Sequence, residues 1–123
     1  MASFIVVRNL AHPIQNPARI QLCDSFGCRL RGLMFRSSLP TNEGLLLAGA
    51  RDSRIDSSIH MLFVPFDLAV FWINSELRVV DRVIAKSWRP AYLPVQPARY
   101  TLEIHPDRLD DYLVGDKVEF QDA

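Results

Sequence analysis

His60 interrupts the otherwise apolar run Ile59 to Val64. An imidazole titrates near neutral pH, so at this point it could serve as a general base, an anion contact or a metal ligand. The alternative is a core or rim histidine satisfied by one hydrogen bond. Arg36 closes a helical pattern and offers a planar fork suited to a carboxylate or phosphate. Its structural alternative is an ion pair with Glu43 or Glu103. Glu103 falls on the polar side of an alternating strand pattern, where it could orient Arg36 or His60, or simply pair. Trp88, Arg89 and Tyr92 stand among Pro90, Pro94 and Pro97. Prolines lower the entropic cost of holding an aromatic wall open over a ligand or peptide. They equally make a rigid connection whose aromatics cover the core. Asp116, following Gly115, reads as turn chemistry.

Several reaction signatures are absent. The chain has no G-x-S-x-G elbow, no P-loop and no G-x-G-x-x-G. His12, His60 and His105 are too widely spaced for an H-x-x-x-H metal motif. Cys23 and Cys28 form a C-x4-C pair with no second pair, short of the ligand count of a zinc site. No metal and no cofactor is therefore expected. Both cysteines read as small, partly buried hydrophobes; a disulfide is not expected in a reducing compartment. A nucleophile built from either cysteine and His60 rests on residue type alone.

The elements that must position these groups are mostly strands. Phe4 to Arg8 is rich in β-branched residues, and Ala18 to Cys23 alternates as a half-buried strand should. A main helix is expected over about 24–36, capped by Asp24, with Phe26, Leu30, Leu33 and Met34 along one face. Leu45 to Leu47 reads as a short buried strand, and Ala48 to Ser58 as a polar loop. Ile59 to Val64 reads as a strand. Leu68 to Ile73 and Leu77 to Ile84 read as a hairpin turning at Asn74-Ser75-Glu76. Ser87 to Pro97 is a stiff loop, and Ala98 to Ile104 an amphipathic strand. Residues 106–112 hold a short helical turn, and Val118 and Phe120 lie on a last strand. Most connections are too short for helical crossovers, which favours antiparallel pairing. The expected fold is α+β and mostly β: a curled antiparallel sheet or small barrel with one main helix, as a single domain over 1–123.

Fourteen basic and fourteen acidic residues give a net charge of zero, so no nucleic-acid partner is expected. No apolar run approaches the roughly 20 residues of a spanning helix, so no membrane partner is expected either. The N-terminal Phe4-Ile5-Val6-Val7 is too short for a signal-peptide core, so cytoplasmic placement is expected.

Three ordered blocks resemble the prokaryotic family of unknown function catalogued as DUF192. The first is Gly32-Leu33-Met34-Phe35-Arg36 with Leu39-Pro40 and Glu43-Gly44. The second runs from Ile59-His60-Met61 to Val79-Val80, and the third pairs Leu102-Glu103 with Gly115-Asp116. The resemblance covers about residues 18–120. It departs where the family often reads Pro-Ile-Asp-Val: this chain has Asp67-Leu68-Ala69-Val70, so Ala69 holds the usual carboxylate position. Asp67, two residues earlier, is a candidate to substitute for it. The turn after Glu103 is also rebuilt, as Ile104-His105-Pro106-Asp107. Many relatives carry a secretion signal. The resemblance implies a fold and motif positions, and no reaction.

Three functions compete. The favoured one is a non-catalytic binding module for a small anionic or amphipathic ligand or a peptide segment. Its expected contacts are Arg36, His60, Trp88 and Glu103, with Asp67, Arg89 and Tyr92 as secondary candidates. The second is a small hydrolase or lyase with His60 as base and Arg36 stabilising charge. The third is an accessory or scaffold protein acting through the proline-rich loop. The oligomeric state is left open.

Overall fold

The computed structural model describes residues 3–123. Its strands are β1 (Ser3–Asn9), β2 (Arg19–Cys23), β3 (Glu43–Ser53), β4 (Leu68–Ile73), β5 (Val79–Ala85), β6 (Ala98–Ile104) and β7 (Val118–Asp122). One α-helix, α1 (Phe26–Arg31), and a 3-10 helix over Pro106–Asp111 complete it. The seven strands form one sheet in the order β5-β4-β6-β3-β2-β1-β7. The two edges approach each other at one end. There Gly115 N–H donates to the Val79 carbonyl (2.8 Å), Val118 N–H to that of Leu77 (2.9 Å), and Arg78 bridges Lys117. The sheet thus curls toward a barrel, as the strand-rich sequence leads one to expect.

The pairing is antiparallel with one exception, since β2 and β3 run parallel. The favoured antiparallel pairing gives way there because residues 24–42 give the chain room to return, and α1 lies within that crossover.

All six residues of β4 are buried, because the sheet packs on both faces. Ala69, Phe71 and Ile73 join Ile20, Leu46, Leu102 and Ile104 in one core cluster. Leu68, Val70 and Trp72 join Leu33, Leu45, Ile59 and Met61 in a second. The second exists because the segments 33–39 and 57–66 lie over that face. Trp72 Nε1 donates to the Ser57 carbonyl at 2.8 Å, and Thr101 Oγ1 donates to the same oxygen at 3.1 Å.

Four local expectations are corrected. The helix spans six residues rather than about 24–36. Ser25, not Asp24, caps it, accepting from Cys28 N–H at 3.2 Å, and Gly32 ends it at φ 51°. Leu30 is therefore exposed rather than inward-facing. The Phe26 side chain, assigned to the apolar face, lies outside what is described. Strand β3 continues through Ser53, so half of the expected loop over 48–58 is strand, irregular between Ala48 and Ser53. Ile59 to Val64 is no strand. Only Ile59 makes a bridge, with Tyr92, and Met61 to Val64 is a turn closed by Val64 N–H on the Met61 carbonyl at 3.1 Å. Its apolar character comes from covering the sheet, not from lying in it.

Cys23 and Cys28 form a disulfide across Cα atoms 5.5 Å apart, correcting the expectation of two free hydrophobic thiols. The bond ties the end of β2 to the middle of α1. A short loop closed in this way restricts the unfolded chain by about 2 kcal/mol. Urea titration of the Cys23→Ser/Cys28→Ser variant is expected to show a loss of that size. An unchanged midpoint would mean that the staple adds nothing to the fold.

Candidate functional site

Glu103 sits near the centre of the sheet. Its register partners are Leu45 on β3 and Val70 on β4, both in the second core cluster. The alternation of β6 reads this side of the strand as polar and outward. The layer over 33–39 and 57–66 covers it, leaving Glu103 only 4% exposed. No hydrogen bond or ion pair reaches its carboxyl from any described residue. Burial therefore pushes the carboxyl up from 4.5 to about 7.

The carboxyl is not sealed in. It lines a cavity of about 150 Å³ together with Arg29, His60, Leu33, Met61 and Leu68. Arg29 and Arg31 come from α1, and Gly32 closes that helix close above the acid; a Cβ there would stand 4.0 Å from Glu103 Oε1. Arg29 Nε is buried and has no hydrogen-bond partner among the described residues. One cavity is thus lined by a glutamate with no partner among the described residues and by an arginine whose buried Nε has none among them. Each such group normally carries a penalty when left unpaired.

His60 reaches the same cavity. Its Nδ1 accepts from Leu62 N–H at 3.3 Å, which assigns the ring proton of the neutral imidazole to Nε2. The ring is then a donor, with its lone pair engaged.

The other candidates lie elsewhere. Arg36 is exposed and stands 3.7 Å from Glu43, the pairing given as its structural alternative, and it does not line the Glu103 cavity. Such exposed pairs contribute little. Trp88 is 52% exposed and packs edge-on against Phe63, outside the cavity. The secondary candidates hold the proline-rich loop. Asp67 accepts from Ser87 N–H (2.9 Å) and Lys86 Nζ (3.3 Å), contacts that keep its carboxyl below the usual range. The Tyr92 hydroxyl accepts from Lys86 N–H at 2.8 Å, and the Arg89 carbonyl accepts from Met61 N–H at 2.8 Å. Asp67 precedes β4 rather than lying on it, and Ala69 belongs to the other core cluster, so neither supplies this cavity with a carboxylate. Asp116 does serve its turn, accepting from Leu113 N–H and Asn9 Nδ2, each at 2.8 Å.

Of the four main candidates, then, His60 and Glu103 come together, and Arg36 and Trp88 do not join them. Arg29 completes the group. Sequence reasoning did not single it out, because nothing in the spacing says which arginine of α1 turns inward.

The DUF192 family model, described as an uncharacterized ACR, matches residues 8–120, about ten residues further toward the N-terminus than the resemblance read from the motifs. A UPF0127 protein of Pyrococcus abyssi is 30% identical over 94% of this chain and 97% of its own length. Another from Pyrococcus furiosus is 35% identical over 82% of this chain and 85% of its own. A UPF0127 protein of Thermococcus gammatolerans is 40% identical over 68% of this chain. The chain spans about half the length of that relative and of its Thermococcus kodakarensis counterpart, 53% and 52%. Among solved structures, a candidate transcription regulator from Sinorhizobium meliloti 1021 superposes with a TM-score of 0.83 at 16% identity, covering 98% of this chain and 94% of that one. A protein of unknown function from Novosphingobium aromaticivorans superposes at 0.81 and 20% identity, covering 96% and 84%. At these identities the likeness shows the shared fold alone.

Proposed function

From the premise that the chain belongs to the DUF192 family, an uncharacterised family whose model spans most of its length, we propose that it is a non-catalytic binding module for a small amphipathic carboxylate. One observation carries the reading: Glu103, a buried residue with no partner among the described residues, lines one cavity with Arg29, whose Nε is buried without a hydrogen bond among them. A ligand carboxylate accepts from Arg29 and from the proton that Glu103 holds at and below neutral pH. Both penalties are relieved by one guest. His60 adds a further donor at Nε2. Leu33, Met61 and Leu68 take the apolar remainder, and a cavity of about 150 Å³ suits a guest the size of benzene.

The hydrolase or lyase reading asks His60 to act as a base. The Leu62 N–H on Nδ1 counts against it, since the neutral ring then has no free lone pair. The Arg36 and Trp88 contacts expected from sequence are not part of this proposal. No helix of the described residues is long and apolar enough to cross a membrane. Cytoplasmic placement is kept as a proposal, and the Cys23–Cys28 disulfide counts against it.

Calorimetric titration with butyrate and benzoate tests the reading. Binding is expected to strengthen below neutral pH and to take up a proton, seen as a heat that varies with the buffer. Arg29→Met is expected to weaken it at least tenfold. Heats that are absent for both acids, or unchanged in Arg29→Met, would refute the carboxylate site.

A further inference from the structure

Three exposed aromatic side chains meet on one face. Phe35 is 71% exposed, Phe63 45% and Trp88 52%. Their rings pack on one another, with centroids 5.1 Å apart from Phe35 to Phe63 and 5.1 Å from Phe63 to Trp88. Each comes from a different loop, and the backbone locks the loops together. Phe35 N–H donates to the Phe63 carbonyl at 2.8 Å, and Trp88 N–H to the Met61 carbonyl at 2.9 Å.

The backbone did not select these residues. All three have positive φ: 65° at Phe35, 61° at Phe63 and 67° at Trp88. That region disfavours bulky side chains and suits glycine or asparagine. Large apolar residues placed there, and left in water, neither ease the backbone nor fill the core. Strain of this kind gathers where a surface has work to do.

Charge indicates what meets that surface. Residues 26–36, 59–66 and 86–93 contain Arg29, Arg31, Arg36, Lys86 and Arg89, and not one carboxylate, in a chain whose net charge is zero. Glu43 and Asp67 reach in from outside, to Arg36 and Lys86; Arg31 and Arg89 have no ion pair among the described residues. The loops that carry the aromatics are rich in cations, so the partner they suit is anionic and apolar at the contact. A second copy of this chain would bring the same cations against these. A peptide adding to the sheet needs an edge strand, and these are loop tips. A stacked nucleobase needs an open ring face, and Phe63 is flanked by Phe35 and Trp88. A soft interface with negative headgroups above hydrocarbon asks only for what the face offers: aromatic tips that bury shallowly and arginines that stay at headgroup level.

We propose that the Phe35–Phe63–Trp88 face docks the protein on an anionic lipid surface. The docking is peripheral; of its cations, Arg29 and Arg31 also line the Glu103 cavity.

The test is sedimentation with phosphatidylcholine vesicles, with and without a minority of phosphatidylglycerol, read alongside tryptophan emission. Trp72 is 1% exposed, so a blue shift reports Trp88. The protein is expected to pellet with the anionic vesicles, to shift its emission, and to be released by salt. Replacing Phe35, Phe63 and Trp88 by glycine suits the positive φ, so that variant is expected to keep its melting temperature and bind at least tenfold more weakly. Arg31→Glu/Arg89→Glu tests the charge in the same way. Failure to bind anionic vesicles at low salt would overturn the proposal. So would equal binding by the glycine variant, or binding of polyglutamate or a single-stranded oligonucleotide without binding of vesicles.

Discussion

Glu103→Gln is expected to melt higher than the unsubstituted protein above neutral pH and at nearly the same temperature in acid. The folded protein holds the Glu103 proton up to about pH 7, whereas the unfolded chain releases it near 4.5. Between those values the folded state binds more protons than the unfolded one, so stability falls as pH rises. The cost is absent below the unfolded value, grows through that window and is complete above the folded value. At about 1.4 kcal/mol for each tenfold change in the proton equilibrium, it amounts to about 3 kcal/mol. Glutamine keeps the shape and the hydrogen-bonding character of the protonated acid and cannot ionise. The variant therefore escapes the loss, which for a chain of this size corresponds to roughly 10 °C. Thermal melts of both proteins from acid to alkaline pH check it, and the two curves should diverge as the pH climbs. Curves that stay parallel would mean that the carboxylate finds a compensating charge, with Arg29 the obvious source.

Such a cost is informative about function. A core position that served packing alone would be held better by an apolar residue, because neither Leu45 nor Val70 beside it offers anything to a carboxyl. Strained or destabilising groups persist where they do something other than stabilise. A guest carboxylate adds a second negative charge near Glu103 and raises the pH at which the proton leaves. Saturating benzoate should therefore move the divergence between the two melting curves to higher pH, joining the stability measurement to the binding one.

How far the sequence disclosed this site depends on which physical signal each part leaves. β4 and β5 were legible because a run buried on both faces, a polar turn and a return strand need only local pattern. The family resemblance was legible because three ordered motifs agreed. Glu103 was legible as a residue worth naming but not as a buried one. Its neighbours Leu102 and Ile104 alternate with it, and alternation reports two faces without reporting that a second layer covers the polar one. The covering layer was itself misread. Ile59 to Val64 carries strand-like composition, and only tertiary hydrogen bonds, such as Met61 N–H on the Arg89 carbonyl, reveal it as a cap. The helix was overextended because an i, i+4, i+7 pattern ignores where Gly32 turns to positive φ. The aromatic face could not be seen at all. Phe35 and Phe63 look like core residues by type, and their exposure follows from backbone conformations that no composition announces.

Gly44→Ala is expected to be among the most damaging small substitutions in the chain. Gly44 lies on β3 between Ile20 of β2 and Ile104 of β6, its register partners on either side. A Cβ at this position would stand 2.5 Å from Ile104 Cγ2, 2.7 Å from Ile20 Cδ1 and 2.8 Å from the Glu103 carbonyl oxygen. The isoleucine tips cannot rotate away, because Ile20 and Ile104 are 2% and 1% exposed and have nowhere to go. The carbonyl belongs to the β6 backbone and moves only if the strand does. The methyl group must therefore part β3 from β6, which is the pairing that carries Glu103. Overpacking of this kind costs typically 1–3 kcal/mol, and with a backbone atom among the clashes the expected loss is at the top of that range, about 3 kcal/mol. Urea unfolding measures it directly. The same substitution at Gly27 provides the control, because a Cβ there meets nothing within 4 Å and replaces a poor helix former by the best one. Gly27→Ala should hold or gain stability while Gly44→Ala loses it. If the two behave alike, the close approach of β3 and β6 is not what requires a glycine at 44, and the register that places Glu103 beneath α1 would have to be drawn again.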